Sequence, residues 1–283
     1  MTDLPLSGMA ALVTGGGSGI GLACAAHLVR DGATVTIAGR SEERLAGAVA
    51  ELAAQAQGGA TVQGVACDVT DEASVQAAVE RAAQPLGGLQ LAVASAGTGT
   101  LGPITSMPLE EWNRVMDTNL TGSFLTFKHA GAAMAAGGKG GAIVAISSIA
   151  APLTHPYMGP YSVSKAGLDM LVRVTADELG RMGIRVNSVR PSVVKTELGD
   201  YLIDDPAVIA DYMAQMPIPR VGTVDDVAAS VRFLLGPESS WITGVSLSID
   251  GGHHLRRGPI VEHWARGAYG DEAIDGPVAS PAP

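Results

Sequence analysis

A cluster of glycines behind the first apolar segment limits what this chain can fold into. Met9–Val13 reads as a short buried strand, and Leu22–Arg30 reads as a helix. Between them lies Thr14-Gly15-Gly16-Gly17-Ser18-Gly19-Ile20-Gly21. Glycine alone adopts left-handed backbone freely and lets another main chain or a ligand approach closely. A strand that turns sharply into a helix presents the helix's unpaired N–H groups and positive dipole end to the turn, which suits a pyrophosphate. The spacing is G-x-x-x-G-x-G rather than the commoner G-x-G-x-x-G. A turn without a ligand is the plain alternative. The strand and helix on either side favour a nucleotide, with Gly15, Gly17, Ser18, Gly19, Ile20 and Gly21 as its contacts.

The same alternation continues along the chain. Strands are expected at Ala33–Ala38, Thr61–Cys67, Leu89–Ala94, Ala142–Ser147, Ile184–Val189 and Gly244–Ile249. Helical segments separate them, with Pro108–Ala136 as one long or broken helix. Seven strands alternating with helices and no linker predict an α/β fold: a single Rossmann domain over residues 1–252, with a doubly wound parallel sheet and helices on both faces. Residues 253–283 are rich in Gly, Pro and charge and lack a clear period. Their composition predicts a loose C-terminal extension, or one ordered by docking on its own or a neighbouring subunit.

Open α/β sheets bind ligands at the C-terminal ends of their strands, and the chemically informative residues gather there. The second strand ends in Gly39-Arg40-Ser41, where an NAD site would place an acid for the ribose hydroxyls. Glycine in place of that acid and Arg40 beside it favour NADP(H), with NAD(H) the alternative; Arg40 could instead pair with Glu43. Asp68-Val69 follows the third strand, and Asp68 suits an adenine amine or a helix cap, although Asp71 is the better cap. Ser95, Ala96 and Gly97 after the fourth strand are small enough for a ribose to pass above them. After the sixth come Pro191, Ser192, Val194 and Thr196, with Val194 placed to pack on a ring and Thr196 to bond a carboxamide or phosphate. Leu198–Pro219 reads as an amphipathic helical flap over this end.

The chemistry itself is expected between Ala145 and Leu168. Tyr161 and Lys165 are four residues apart and share one face of a helix. A phenol near its ordinary pKa of about 10 is a poor acid or base at neutral pH. A neighbouring ammonium favours the phenolate and makes Tyr usable. Ser148 ends the fifth strand and can donate to a developing oxyanion. Pro152, Pro156 and Pro160 preclude a helix between Ser148 and Tyr161, so a loop folds one toward the other. His155 and Met158, within that loop, are the candidate substrate contacts besides Ser148 and Tyr161. Asn119, an indifferent helix residue, reads as an ordinary core or surface Asn, or marks a kink or a site.

Composition narrows the partners. Eighteen basic against twenty-eight acidic residues give a formal charge of −10. With no basic block, this argues against nucleic acid or a membrane surface. MTDLPLSG has no signal-peptide pattern and no apolar run approaches the roughly 18 residues of a span. Cys24 and Cys67 each sit in an apolar run and read as reduced core residues of a cytoplasmic protein. The adjacent His253-His254 pair is poorly spaced for one ion, and no metal is expected.

Taken in order, Thr14-Gly15-x-x-x-Gly19-Ile20-Gly21, Asp68-Val69, Asn119, Ser148, Tyr161-x-x-x-Lys165 and the Pro191 segment resemble the short-chain dehydrogenase/reductase family over about residues 5–252. The resemblance implies an NAD(P)-dependent oxidoreductase interconverting a small ketone and a secondary alcohol. It gives Tyr161 the acid/base role and Ser148 the substrate oxygen. It has Lys165 bind the nicotinamide ribose and lower the Tyr161 pKa, and Asn119 hold a water in a proton relay. It also implies a homo-oligomer, tetramer or dimer. Two positions depart from the family: Ala94-Ser95-Ala96-Gly97 stands for Asn-Asn-Ala-Gly, and Pro191-Ser192 for Pro-Gly.

Overall fold

The computed structural model describes residues 4–256, 258 and 260–276. Its sheet consists of β1 (Ala10–Thr14), β2 (Thr34–Gly39), β3 (Val62–Ala66), β4 (Leu91–Ala94), β5 (Gly141–Ile146), β6 (Ile184–Pro191) and β7 (Ser246–Ile249). All neighbours are parallel, in the order β3-β2-β1-β4-β5-β6-β7. Central strands are buried on both faces, so β4, β5 and all of β1 but Thr14 lack polar residues instead of alternating with them.

Successive side chains on a strand point to opposite faces, and the two cores divide accordingly. Ala11 and Val13 pack with α1 (Gly19–Arg30) and α2 (Glu42–Ala53) on one face; Ala10 and Leu12 pack with α3 (Glu72–Ala83) on the other. Between β4 and β5 the chain forms α4 (Leu109–Met116), a π-helical turn (Asp117–Thr121) and α5 (Gly122–Gly137). The helix expected over Pro108–Ala136, long or broken, runs on through that π-helical turn at Asn119. After β5, α6 (Gly159–Leu179) joins α3 and α5 on the second face. The flap following β6 is two helices, α7 (Asp200–Ile203) and α8 (Pro206–Gln215). Helix α9 (Val224–Leu235) returns to the first face, with Thr223 and Asp226 forming a reciprocal capping box.

The C-terminal segment departs from its composition. Its described residues include α10 (Glu262–Tyr269) and α11 (Asp271–Asp275). Val261 is buried with Ile149, Val193, Leu202, Val208, Tyr212 and Met216 in a third apolar cluster. His263 and Trp264 both bond the Asp205 carboxylate that caps α8. The Tyr269 hydroxyl donates to Leu101 O at 2.8 Å. Long-range contacts to the flap, invisible to a local reading, hold the described part of this segment against its own chain. Among the described residues no helix is long and apolar enough to cross a membrane.

Candidate active site

The strand order reverses between β1 and β4, and a cleft of about 930 Å³ opens above their C-terminal ends. At its floor the glycine turn packs against the start of the β4 loop. A Cβ on Gly15 would lie 2.7 Å from Ala96 N, and one on Gly21 only 2.2 Å from Gly15 O. Neither position tolerates a side chain. Ser18 precedes α1 in extended conformation and makes no side-chain cap. The first-turn N–H groups of a helix lack intrahelical acceptors, and Gly17 through Gly21 line the cleft here. This cradle suits a dinucleotide's pyrophosphate.

Adenosine-side groups surround it. Ser41 caps α2 by accepting from Arg44 N at 3.3 Å. Arg40 lines the cleft and makes no hydrogen bond or ion pair among the described residues; the pairing with Glu43 does not form. Arg44 instead bridges to Glu197 at 2.7 Å, across the cleft mouth. Asp68 is not a helix cap: its Oδ1 accepts from Thr70 N and Oγ1 at 2.9 and 2.8 Å, while Asp71 caps α3. Those bonds hold the Asp68 carboxyl below its ordinary range. Val69, Ser95 and Gly97 continue the lining.

At the other end lie Ser148, Tyr161 and Lys165. The Lys165 ammonium donates to Ile146 O at 2.7 Å and stands 5.7 Å from the Tyr161 ring centre. Burial pushes Lys165 down to about 8, and Asp169 opposes that shift. The expected lowering of Tyr161 by Lys165 is not what these residues produce. Burial raises the phenol, and the hydrogen bond with Ser148 opposes it.

Asn119 is fully buried in the π-turn. Its Oδ1 accepts from Thr98 N at 2.8 Å, and its Nδ2 donates to Thr98 O at 2.9 Å and Ser164 Oγ at 3.1 Å. The amide therefore ties the loop after β4 to the helix carrying Tyr161. Among the roof residues, the Ser192 hydroxyl is 2.8 Å from His253 Nδ1, and Thr196 accepts from Gly199 N at 3.1 Å. Pro191 and Val194 also line the cleft.

The loop from Ser148 to Tyr161 holds His155 and Met158, both buried and both lining the cleft. Tyr157 has φ +66°, the sole positive-φ residue other than glycine among those described, and its carbonyl accepts from Gly102 N at 2.7 Å. Leu153 O can only accept, so His155 donates from Nδ1 at 3.1 Å and keeps Nε2 as a bare acceptor. Burial pushes His155 down to about 4. The unfolded chain, with His near 6.5, therefore binds more protons below that pH. Stability should fall by about 3 kcal/mol as pH drops from 6.5 toward 4. Denaturant titrations across this window measure it, and His155→Gln should flatten the slope; an unchanged slope would mean the histidine is not buried neutral.

The cleft also contains groups that sequence reasoning missed. Tyr201 in α7 and Tyr212 in α8 line its substrate end. Their only sequence signal is an aromatic residue in an amphipathic flap.

Known proteins match this arrangement. A family model described as enoyl-(acyl carrier protein) reductase matches residues 15–254. D-threitol dehydrogenase of Mycolicibacterium smegmatis is 39% identical over 256 residues, 90% of this chain and 96% of that protein. 2-(S)-hydroxypropyl-CoM dehydrogenase 3 of Xanthobacter autotrophicus is 36% identical over 85% of this chain and 94% of its own length. The solved structure of a short-chain type dehydrogenase/reductase from Mycobacterium ulcerans superposes with a TM-score of 0.93 at 41% identity, covering 97% of this chain and all of that one. The uncovered 3% of 283 residues is about eight, so this likeness extends into the C-terminal segment. The chain belongs to the short-chain dehydrogenase/reductase family and is an NAD(P)-dependent oxidoreductase acting on a CH–OH group.

Proposed function

We propose that the protein interconverts a neutral secondary alcohol and its ketone with NADP(H) as the favoured cofactor. The observation that carries this reading is the Ser148–Tyr161 hydroxyl pair with the Lys165 ammonium beside it, at the inner end of a cleft floored by the glycine cradle. Bound in that cleft, the nicotinamide supplies or takes up a hydride. Ser148 holds the substrate oxygen. In the oxidative direction Tyr161 takes the hydroxyl proton as the carbinol C–H bond gives up its electron pair; in reduction it returns that proton to the oxygen. Lys165 holds the ribose and keeps positive charge near the phenol. Asn119 fixes the floor and, as in the family, holds a relay water.

Gly15, Gly17, Ser18, Gly19, Ile20 and Gly21 hold the pyrophosphate. Asp68 and Val69 would hold the adenine. Ser95, Ala96 and Gly97 leave room for a ribose. Pro191, Ser192, Val194 and Thr196 seat the nicotinamide end. An unpaired Arg40 with Gly39 in place of an acid suits a 2′-phosphate, to which guanidinium binds as a fork; Ser41 adds a hydroxyl.

Arg40→Asp is expected to lower kcat/KM with NADP at least tenfold and to move preference toward NAD. Steady-state kinetics with both nucleotides check it. A wild type that prefers NAD, or a variant with unchanged preference, sinks the 2′-phosphate assignment and leaves an NAD-dependent alcohol or sugar dehydrogenase. A protein that binds nucleotide but turns over no alcohol or ketone would instead be a sensor.

Two wider features belong to the same reading. Free, buried Cys24 and Cys67 suit a reducing cytoplasm. Helices α5 and α6 leave Phe124, Val163, Met170 and Val174 between 45 and 52% exposed, which suits pairing between subunits of a homotetramer or homodimer.

A further inference from the structure

The flap carries two phenols that the catalytic reading leaves without work. Tyr201 and Tyr212 line the same cleft as Ser148 and Tyr161. Neither hydroxyl has a hydrogen-bond partner among the described residues, and neither is among the sealed unsatisfied atoms. Tyr212 is only 4% exposed. A tyrosine buried that far ordinarily finds a partner for its O–H. The Tyr201 hydroxyl stands over the loop after β4, 3.8 Å from where a Gly99 Cβ would lie. Burial raises both phenols, and Tyr161 is close enough to add to the shift.

The C-terminal segment backs each ring. Trp264 packs on Tyr201 with ring centres 5.7 Å apart. His253 meets Tyr212 edge-on at 5.3 Å and 86°. Trp264 is itself held by its Nε1 bond to Asp205, and His253 by Ser192. The phenols are therefore placed by contacts outside the flap.

The uncommitted groups lining this end, His155, Tyr201 and Tyr212, are hydrogen-bonding and neutral. His155 offers a bare Nε2, and the tyrosines offer O–H groups. Nearby cations are already engaged: Arg114 by Thr98, Gly99 O and Glu111, Arg44 by Glu197, and Lys165 by Ile146 O. A carboxylate, sulfonate or phosphate on the substrate would be desolvated here with no counter-charge but the carbonyl-bound Lys165 ammonium. A second hydroxyl would complete the unused hydrogen-bonding groups.

We infer that Tyr201 and Tyr212 form a hydroxyl-binding subsite beside the reacting carbon, positioned by Trp264 and His253, and that the substrate is a neutral vicinal diol or polyol. This rests on the proposed Ser148–Tyr161 reaction centre. The oxidation balances as one carbinol giving a hydroxyketone, with reduced cofactor and one proton released.

The test compares 2,3-butanediol with 2-butanol, which differ by one hydroxyl, using the full-length protein and both nucleotides. Wild type should favour the diol by at least tenfold in kcat/KM. Tyr201→Phe and Tyr212→Phe should each cut that ratio several-fold. Trp264→Leu should cut it too, with unchanged nucleotide affinity as the control for folding. Nearly equal use of the two alcohols by wild type, or a diol preference surviving in both Phe variants, overturns the subsite. Faster oxidation of lactate than of the diol overturns the neutral-substrate claim. Turnover of 2-butanol without the diol sinks the subsite alone; no turnover of any alcohol or ketone sinks the oxidoreductase reading with it.

Discussion

Tyr161→Phe is expected to lower kcat at least about a thousandfold while nucleotide affinity stays within a few-fold. The substitution keeps the ring against Lys165 and removes only the hydroxyl, the proposed proton carrier. That hydroxyl lies beside Ser148 and ties no other element in place among the described residues, so the fold should survive. Ser148→Ala should cost about a hundredfold, because the oxygen loses a donor but keeps its acid. The double variant should be little worse than Tyr161→Phe, since the two hydroxyls act on one oxygen. Single-turnover rates with saturating cofactor and calorimetric nucleotide titration check these outcomes. More than a tenth of the wild-type rate in Tyr161→Phe would remove the phenol from the reaction.

The same residue sets a pH dependence. Burial raises the phenol above its ordinary value. It is therefore protonated across neutral pH, the form needed to give a proton to a ketone. Oxidation needs the phenolate, so its rate should climb with pH while Lys165 stays charged, below about 8. Reduction should stay level over the same range, because the phenol is already protonated. A climbing oxidation beside a level reduction of one alcohol–ketone pair is the signature; parallel slopes would point to another group.

Local chemistry made much of this site legible from sequence. The glycine turn is readable because close backbone approach demands glycine, and Gly15 and Gly21 show that demand as contacts no Cβ could meet. The residues at strand ends follow from the alternation of elements, and the four-residue spacing of Tyr161 and Lys165 from helix geometry. Groups whose meaning depends on distant partners were not legible. Asn119 takes its place from Ser164, forty-five residues on. Arg40 is informative because Glu43 leaves it unpaired, which no spacing predicts. The C-terminal helices are short and locally unremarkable: Trp264 is held by an aspartate fifty-nine residues earlier, and Tyr269 by a carbonyl 168 residues earlier. Composition reports the propensity of such a segment, and tertiary contact overrides it.

Asp169→Leu should be the most destabilising single change near the site, by about 3 kcal/mol or more. Asp169 lies one turn beyond Lys165 on α6 and is 2% exposed. Its carboxylate accepts from Arg190 Nε at 2.6 Å and from Ser188 Oγ at 2.9 Å, joining the helix of Tyr161 to β6. Leucine would strand the Arg190 guanidinium, whose side chain is 20% exposed, beside an apolar group. Breaking one half of such a pair costs far more than the intact pair contributes. Replacing both, Asp169→Leu with Arg190→Met, should therefore recover most of the loss. Lys165 provides an independent readout, because Asp169 supports its charge. With a folded value of about 8 against 10.5, the unfolded chain holds more protons between those pH values, so stability rises with pH through that window. Without Asp169 the window should widen downward, and turnover that needs the ammonium should fail at lower pH. Urea denaturation from pH 7 to 10 and the alkaline limb of the pH–rate profile measure both effects. A loss below about 1 kcal/mol, or a double variant no better than the single, would show that the ion pair does not hold the catalytic helix.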